Sequence, residues 1–168
     1  MRHLIVDGYN VLRTSRRYKE AARRDLDSAR ARIVADAAAI VDAGTHVTVV
    51  FDAGGNRSST GATETVAGVE VVFSPYGRTA DDVIESLAAR AKSSGEDVVV
   101  VTSDAATQHA VMGGGVVRMS AREFGEQVDR DEGERAESFK GGGAAVPIEN
   151  RIDAEVRRVL ERWIGREC

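Results

Sequence analysis

The chain has 168 residues, of which 42% are hydrophobic and 30% are charged, and this predicts one soluble globular domain spanning residues 1–168. No apolar run approaches the length of a bilayer span, and the apolar stretch near the N-terminus ends at Val6, so we expect a cytoplasmic protein without membrane contact. A single cysteine, Cys168, excludes an internal disulfide framework and a cysteine-based metal cage.

The net charge of −4 at pH 7 counts against nucleic-acid binding, but the charge is unevenly distributed. The segment from Arg13 to Arg32 carries eight arginine and lysine residues against three acidic ones. The planar fork of arginine suits phosphate groups. This basic segment therefore predicts contact with a polyanion in spite of the acidic total.

Five apolar, largely β-branched runs predict strands. Most of them lack strict polar alternation, as expected for a parallel sheet that is covered on both faces. The runs are Leu4 to Val6, His46 to Phe51, Val69 to Phe73, Val98 to Thr102 and, more weakly, Val116 to Met119.

Helical patterns lie between most of these strands. Leu26, Ile33 and Ile40 recur at intervals of seven residues and predict one helix, followed by Gly44 as a stop. Thr79 and Asp82 resemble a capping box and predict the start of a second helix. Alternating strands and helices predict a three-layer α/β domain with a mainly parallel sheet.

The remaining segments receive simpler predictions. We expect a long mobile loop over 53–68, a short helix from Asp104 to Val111, and a charged, solvated helix from Ser120 to Lys140. Glycines 141–143 predict a linker, after which an amphipathic stripe over 152–163 predicts a terminal helix that packs back.

Acidic residues fall close to the carboxyl end of each of the four clear strands. In a parallel sheet these ends share one edge, so the side chains should converge there. Clustered carboxylates need a cation, and hard oxygen ligands suit Mg²⁺ or Mn²⁺. A structural explanation stays open, because aspartate also makes turns and helix caps, above all at Asp82 and Asp52. The residues are Asp7, Asp52, Asp81, Asp82 and Asp104.

Other chemistries that use this edge of a sheet lack their residues. Tyr9 stands where a haloacid-dehalogenase phosphatase needs its second aspartate, and no GxGxxG or P-loop motif is present. His3, His46 and His109 stand in no triad-like setting, and we interpret His46 as strand surface.

The motifs DGYNV (7–11), VVFDA (49–53), TADD (79–82) and VTSDAATQ (101–108) occur together in this order, and SAREF (120–124) follows. In this combination the chain resembles the YacP branch of the NYN-domain ribonucleases, within the PIN-like superfamily. The resemblance implies a PIN-like α/β/α sandwich and a metal-dependent endoribonuclease that cleaves RNA, in some members messenger RNA on the ribosome.

The resemblance also implies which residues form the site. The family's acidic residues map onto Asp7, Asp81 and Asp104, which we expect to hold Mg²⁺ or Mn²⁺, with Asn10 and Asp82 nearby as further catalytic residues. Whether Asp52 is a ligand stays open.

The predicted RNA contacts lie beside this acidic site. We assign Arg13, Arg16, Arg17 and Arg78 to the phosphate backbone, while Tyr9 either stacks on a base or packs beneath the site. Two other functions remain as alternatives: a PIN-like module that docks on RNA or the ribosome without cutting, and a DNA or flap nuclease.

Overall fold

The computed structural model describes residues 1–42, 44–104 and 115–139, which form six strands and five helices. The strands are β1 (Arg2–Asp7), β2 (Thr45–Phe51), β3 (Thr63–Val66), β4 (Val69–Phe73), β5 (Asp97–Val101) and β6 (Val116–Met119). The helices are α1 (Gly8–Thr14), α2 (Arg16–Arg24), α3 (Leu26–Ala38), α4 (Ala80–Ser93) and α5 (Ala121–Phe139).

The strands form one sheet in the order β3-β4-β2-β1-β5-β6. All neighbouring pairs are parallel except β3 with β4. The five strands predicted from apolar runs are confirmed, as is the mainly parallel α/β architecture. Because β1, β2, β4 and β5 run the same way, the residues that follow them meet at one edge of the sheet.

The two faces of the sheet bury separate cores. On one face, valines of the sheet pack against buried side chains of α1, α2, α3 and α5, including Leu12, Tyr18 and Ile33. On the other face, Ile5 and Val50 pack against α4. The result is a sheet between two helical layers, consistent with a PIN-like fold.

The prediction of a mobile loop over 53–68 is wrong for its second half. Thr63–Val66 forms β3, an edge strand that pairs antiparallel with β4 through a tight turn at Ala67 and Gly68, both with positive φ. The first half is held by hydrogen bonds, including one from Ser59 Oγ to the carbonyl of Ser74 at 2.7 Å.

Helix α5 is not the solvated arm that its charge predicts. Phe124 and Val128 are fully buried against the core, one turn apart on the face that also carries Ala121. The helices predicted from Leu26 and from Thr79 are confirmed as α3 and α4. Helix α2 and the end of α1 occupy residues 13–24 of the basic segment, for which the apolar pattern gave no helix.

Several predictions lie outside the described residues: most of the helix from Asp104 to Val111, the linker at 141–143, and the terminal helix over 152–163. The assignment of 1–168 to one domain stays a prediction. In the described ranges no helix combines the length and apolar character that crossing a membrane demands.

Candidate functional site

A cleft of about 910 Å³ lies at the edge of the sheet where β1, β2 and β5 end. Its walls come from the residues after these strands, from the start of α4, from the segment over 53–64, and from helices α1 to α3. The acidic residues in the lining are Asp7, Asp52, Glu64, Asp81 and Asp104. The basic residues in the lining are Arg13, Lys19, Arg23 and Arg30. One cleft therefore holds both a group of carboxylates and a basic wall.

Asp7 occupies the junction between β1 and α1 and is buried. One carboxylate oxygen accepts a hydrogen bond from the amide of Asn10 at 3.1 Å, which caps helix α1. The other accepts one from the hydroxyl of Thr102 at 3.4 Å. One oxygen of Asp7 therefore caps helix α1, which is the structural explanation for an aspartate at this position. The same side chain also lines the cleft.

The environment of Asp7 disfavours its charged form. Burial raises the pKa of the carboxyl from its ordinary value of 3.8 to about 6, and the negative charge of Asp81 adds to the effect. The hydrogen bond from Asn10 and the charge of Arg13 act in the opposite direction without cancelling it. A cation beside Asp7 would remove this penalty, because it stabilises the ionised carboxylate.

Two further acids face the cleft from separate elements. Asp81 lies in the first turn of α4, and Asp104 follows β5; both are exposed. Asn10 joins α1 to this last segment, since its side-chain oxygen accepts a hydrogen bond from the amide of Ser103 at 2.8 Å. Asn10 therefore fixes the chain that carries Asp104 relative to Asp7.

Asp52 and Asp82 hold the backbone instead. Asp52 accepts hydrogen bonds from the amides of Gly54 at 2.7 Å and Ala80 at 3.1 Å, which ties the end of β2 to the start of α4. Asp82 forms the capping box with Thr79, and these hydrogen bonds lower the pKa of its carboxyl. The carboxylate of Asp82 is therefore engaged in the cap, which favours a structural role, while its expected catalytic role stays a prediction.

Tyr9 lies half-buried on the floor of the cleft. Its ring packs edge-on against Phe51 at 5.3 Å between centroids, and the guanidinium of Arg30 lies over it at 5.2 Å. The Tyr9 hydroxyl contacts a terminal nitrogen of Arg30. Packing beneath the site thus describes Tyr9 better than an exposed stacking platform does.

The predicted arginines separate into two groups. Arg13 lines the cleft, whereas Arg16 does not. Arg17 forms an ion pair with the buried Asp36 at 2.8 Å and contacts Asp129, so its guanidinium serves the core. Arg78 donates hydrogen bonds to the Asp82 carbonyl and to Ser86, outside the lining. These contacts favour structural roles for Arg17 and Arg78, and their expected phosphate contacts stay predictions.

Sequence reasoning missed Lys19, Arg23 and Arg30 as cleft residues. Arg30 is the most enclosed of them: its Nη1 pairs with Asp27 at 2.6 Å, while its Nε is buried without a hydrogen-bond partner in the described part of the chain. The excess of basic residues over 13–32 indicated this region. Which of these side chains line the cleft depends on how α2 and α3 pack.

The cleft residues fit a divalent metal ion. Carboxylate oxygens from Asp7, Asp81 and Asp104 are the hard ligands that Mg²⁺ and Mn²⁺ prefer. Magnesium usually takes one or two carboxylates and keeps several waters, so the acids need not touch one another.

Comparisons with known proteins agree with this architecture. The family model described as the YacP-like NYN domain matches residues 4–165. YacP of Bacillus subtilis (strain 168) is 31% identical over 161 residues, which cover 93% of this chain and 82% of that protein. The crystal structure of Rae1 (YacP) from Bacillus subtilis matches with a TM-score of 0.72 and 30% identity, covering 98% of this chain and 95% of that chain. The structure of a tryptophan-to-leucine mutant of Rae1 matches with a TM-score of 0.67 and 28% identity, covering 95% and 98% respectively.

Proposed function

Because the chain belongs to the YacP-like NYN domain family, which supports a nuclease-like, RNA-related function, we propose that it is a metal-dependent endoribonuclease. The observation that carries this proposal is Asp7: a buried carboxylate with a raised pKa, in a cleft that it shares with two other acids and a basic wall. A docking surface for RNA has no need of a buried acid that resists ionisation.

The acidic residues have distinct tasks in this proposal. Asp7, Asp81 and Asp104 hold Mg²⁺ or Mn²⁺, which when bound polarises a phosphoryl oxygen and lowers the pKa of a water molecule. Asp7 is fixed from two sides by Asn10 and Thr102, so its position is set before the ion arrives. Asn10 acts as a positioning residue through its hydrogen bond to Ser103.

The basic wall binds the RNA backbone next to the cut. Arg13, Lys19 and Arg23 are exposed side chains that line the same cleft as the acids, so phosphates on either side of the scissile bond can meet them. Arg30 supports the wall from below through its contacts with Tyr9 and Asp27. This arrangement replaces the expected contribution of Arg16 and Arg17.

In its most specific form, the proposal is that the protein cleaves messenger RNA on translating ribosomes in the cytoplasm. The two alternatives, RNA or ribosome docking without cleavage and a DNA or flap nuclease, make different predictions about substrate and product. One assay can therefore distinguish all of them.

The purified protein is incubated with Mn²⁺ or Mg²⁺ and with single-stranded RNA, a DNA of matching sequence, or translating ribosomes. We expect metal-dependent cleavage of RNA, free or on ribosomes. Asp81→Asn should lower its rate more than about 100-fold, beyond the usual effect of residues that only support a metal ligand. Glu85→Gln is the matched control, since it removes an exposed charge from the next turn of α4, outside the cleft lining.

Each contrary outcome rejects a defined part of the proposal. RNA binding without cleavage with either metal would identify a docking module, and faster cleavage of DNA than of RNA would identify a DNA nuclease. Full activity of Asp81→Asn would remove the acid cluster from catalysis. Circular dichroism of both variants verifies that the comparison is made between folded proteins.

A further inference from the structure

An exposed aromatic side chain lies at the rim of the cleft. Tyr76 has 54% of its surface exposed, and it is the one exposed aromatic residue among those whose exposure the structure describes. It follows β4 and precedes α4, five residues before Asp81. Because five residues of fully extended chain span at most about 18 Å, Tyr76 stays close to the acids of the cleft.

Hydrogen bonds fix the turn that carries Tyr76. The amide of Arg78 donates to the carbonyl of Pro75 at 3.0 Å, and Gly77 has a φ of 81°, as the third residue of a type II turn requires. The amide of Tyr76 donates to the carbonyl of Ser59 at 2.9 Å, and Ser59 lines the cleft. The Tyr76 ring is therefore presented from a preformed turn, so that little ordering is needed when a ligand stacks on it.

A cation accompanies the ring. The guanidinium of Arg57 lies over the Tyr76 ring at 5.8 Å from the centroid, and more than half of Tyr76 stays exposed with this contact in place. Asn56 and Ser58, the chain neighbours of Arg57, line the cleft, whereas Arg57 and Tyr76 do not. The two side chains thus form a pair on the surface immediately outside the cleft.

This pair has the chemistry of a base-stacking site. Aromatic rings and guanidinium planes are the groups on which unpaired RNA bases stack, and the charge of an arginine also suits the adjoining phosphate. The basic residues of the cleft lining all come from α1, α2 and α3, whereas Arg57 and Tyr76 come from the segments that follow β2 and β4. RNA in the cleft can therefore meet phosphate ligands on one wall and a base ligand at the rim of another.

We propose that Tyr76 and Arg57 stack on an unpaired RNA base near the scissile bond, which makes single-stranded RNA the substrate. Bases of a duplex are already stacked on their neighbours and paired, so they cannot reach such a site. The inference rests on the proposed function and adds to it the form of RNA that the cleft accepts.

The test measures the binding of fluorescently labelled single-stranded RNA to the full chain, with a chelator present so that the RNA is not cut. Tyr76→Ala should weaken binding about tenfold, within the range of base–aromatic stacking, while Tyr76→Phe keeps the ring and should bind as the wild type does. Val117→Ala shortens an exposed apolar side chain on β6 and is the control, which should leave binding unchanged.

RNAs that each lack one base identify the stacked nucleotide. At one position, loss of the base should weaken binding by the wild type and have no effect on Tyr76→Ala, because both changes remove the same contact. With duplex RNA, the wild type and Tyr76→Ala should bind equally.

Cleavage of the same single-stranded RNA with Mn²⁺, measured in parallel, separates this inference from the proposed function. If the wild type cuts the RNA and Tyr76→Ala binds it with unchanged affinity, the stacking site is wrong and the nuclease proposal stands. Equal weakening in Tyr76→Phe and Tyr76→Ala would also overturn stacking, since only the hydroxyl would then matter. If the wild type neither binds nor cuts RNA, both proposals are wrong.

Discussion

Asp7 and Asp36 are the two buried acids of the described chain, each with 7% of its surface exposed, yet their surroundings differ. Asp36 lies between the guanidinium of Arg17 at 2.8 Å and the hydroxyl of Tyr18 at 2.7 Å. Among the described residues, Asp7 accepts hydrogen bonds from two neutral groups, the Asn10 amide and the Thr102 hydroxyl. The chain thus supplies a cation to one buried acid, whereas in the proposed function the other acid binds a metal ion.

The largest expected change in stability comes from removing the cation beside Asp36. Arg17→Ala should lower the free energy of unfolding by about 2 to 4 kcal/mol, because it leaves a buried carboxylate with Tyr18 and the more distant Arg32. Urea denaturation of the metal-free protein measures the change. Arg16→Ala, the exposed neighbour, is the control and should stay within about 0.5 kcal/mol of the wild type. Equal stability of both variants would contradict the structural role of Arg17.

The second prediction concerns the acid that lacks such a partner. The pKa of Asp7 is raised to about 6, so the folded state holds its proton more tightly than the unfolded state does. The stability that this proton provides is fully present below about pH 4 and is lost as the pH rises through about 6. Without metal, the wild type should therefore lose roughly 1 to 3 kcal/mol relative to Asp7→Asn over this range.

Chemical denaturation of both proteins at several pH values, with a chelator present, measures this difference. Adding Mn²⁺ above pH 6 should restore stability to the wild type and leave Asp7→Asn unchanged, since the ion stabilises only the state that it binds. A constant difference between the two proteins across the pH range would show that Asp7 ionises without penalty.

The smallest expected effect belongs to Asp82, which the capping box places with the structural acids. Asp82→Ala removes the side-chain half of the capping box with Thr79 and should lower the melting temperature by roughly 2 to 4 °C, without loss of cleavage per folded molecule. Asp81→Ala, its neighbour in the first turn of α4, should show the reverse pattern: little change in melting temperature and loss of cleavage. Strong loss of cleavage in Asp82→Ala would instead support the catalytic role predicted for this residue.

The sheet could be predicted from the sequence because its strands are uninterrupted apolar runs such as VVVV over 98–101. Strand β3 escaped prediction since its sequence, TETV, has one buried residue and lies at the edge of the sheet. Helix α2 buries only Tyr18 among its nine residues, so its apolar pattern is too weak to register. Phe124 and Val128 in α5 are apolar and lie one helical turn apart, which indicates a buried face. The many charged residues around them led to the prediction of a solvated helix instead.

The acids of the cleft could be predicted because the ends of parallel strands converge whatever the details of packing. The pairing of Arg17 with Asp36 could not, since it joins residues 19 positions apart on two helices whose relative orientation the sequence does not specify. The same limit hid Arg30, which reaches the cleft only because α3 packs so that its guanidinium lies over the Tyr9 ring. The density of basic residues in the sequence indicated which segment forms the basic wall of the cleft. Tertiary packing determines which residues of that segment line it.

Gly8, between Asp7 and Tyr9, has a consequence for how the cleft tolerates change. A Cβ atom at this position would lie 2.3 Å from a ring carbon of Phe51, so helix α1 rests directly on that ring. The height of α1 above the sheet is thus set by the thickness of one aromatic side chain. An alanine at position 8 must displace either the ring or the helix, and a displacement of the helix would move Asp7, its N-cap residue. Two residues without reactive groups, Gly8 and Phe51, therefore help to set the position of the helix that Asp7 caps.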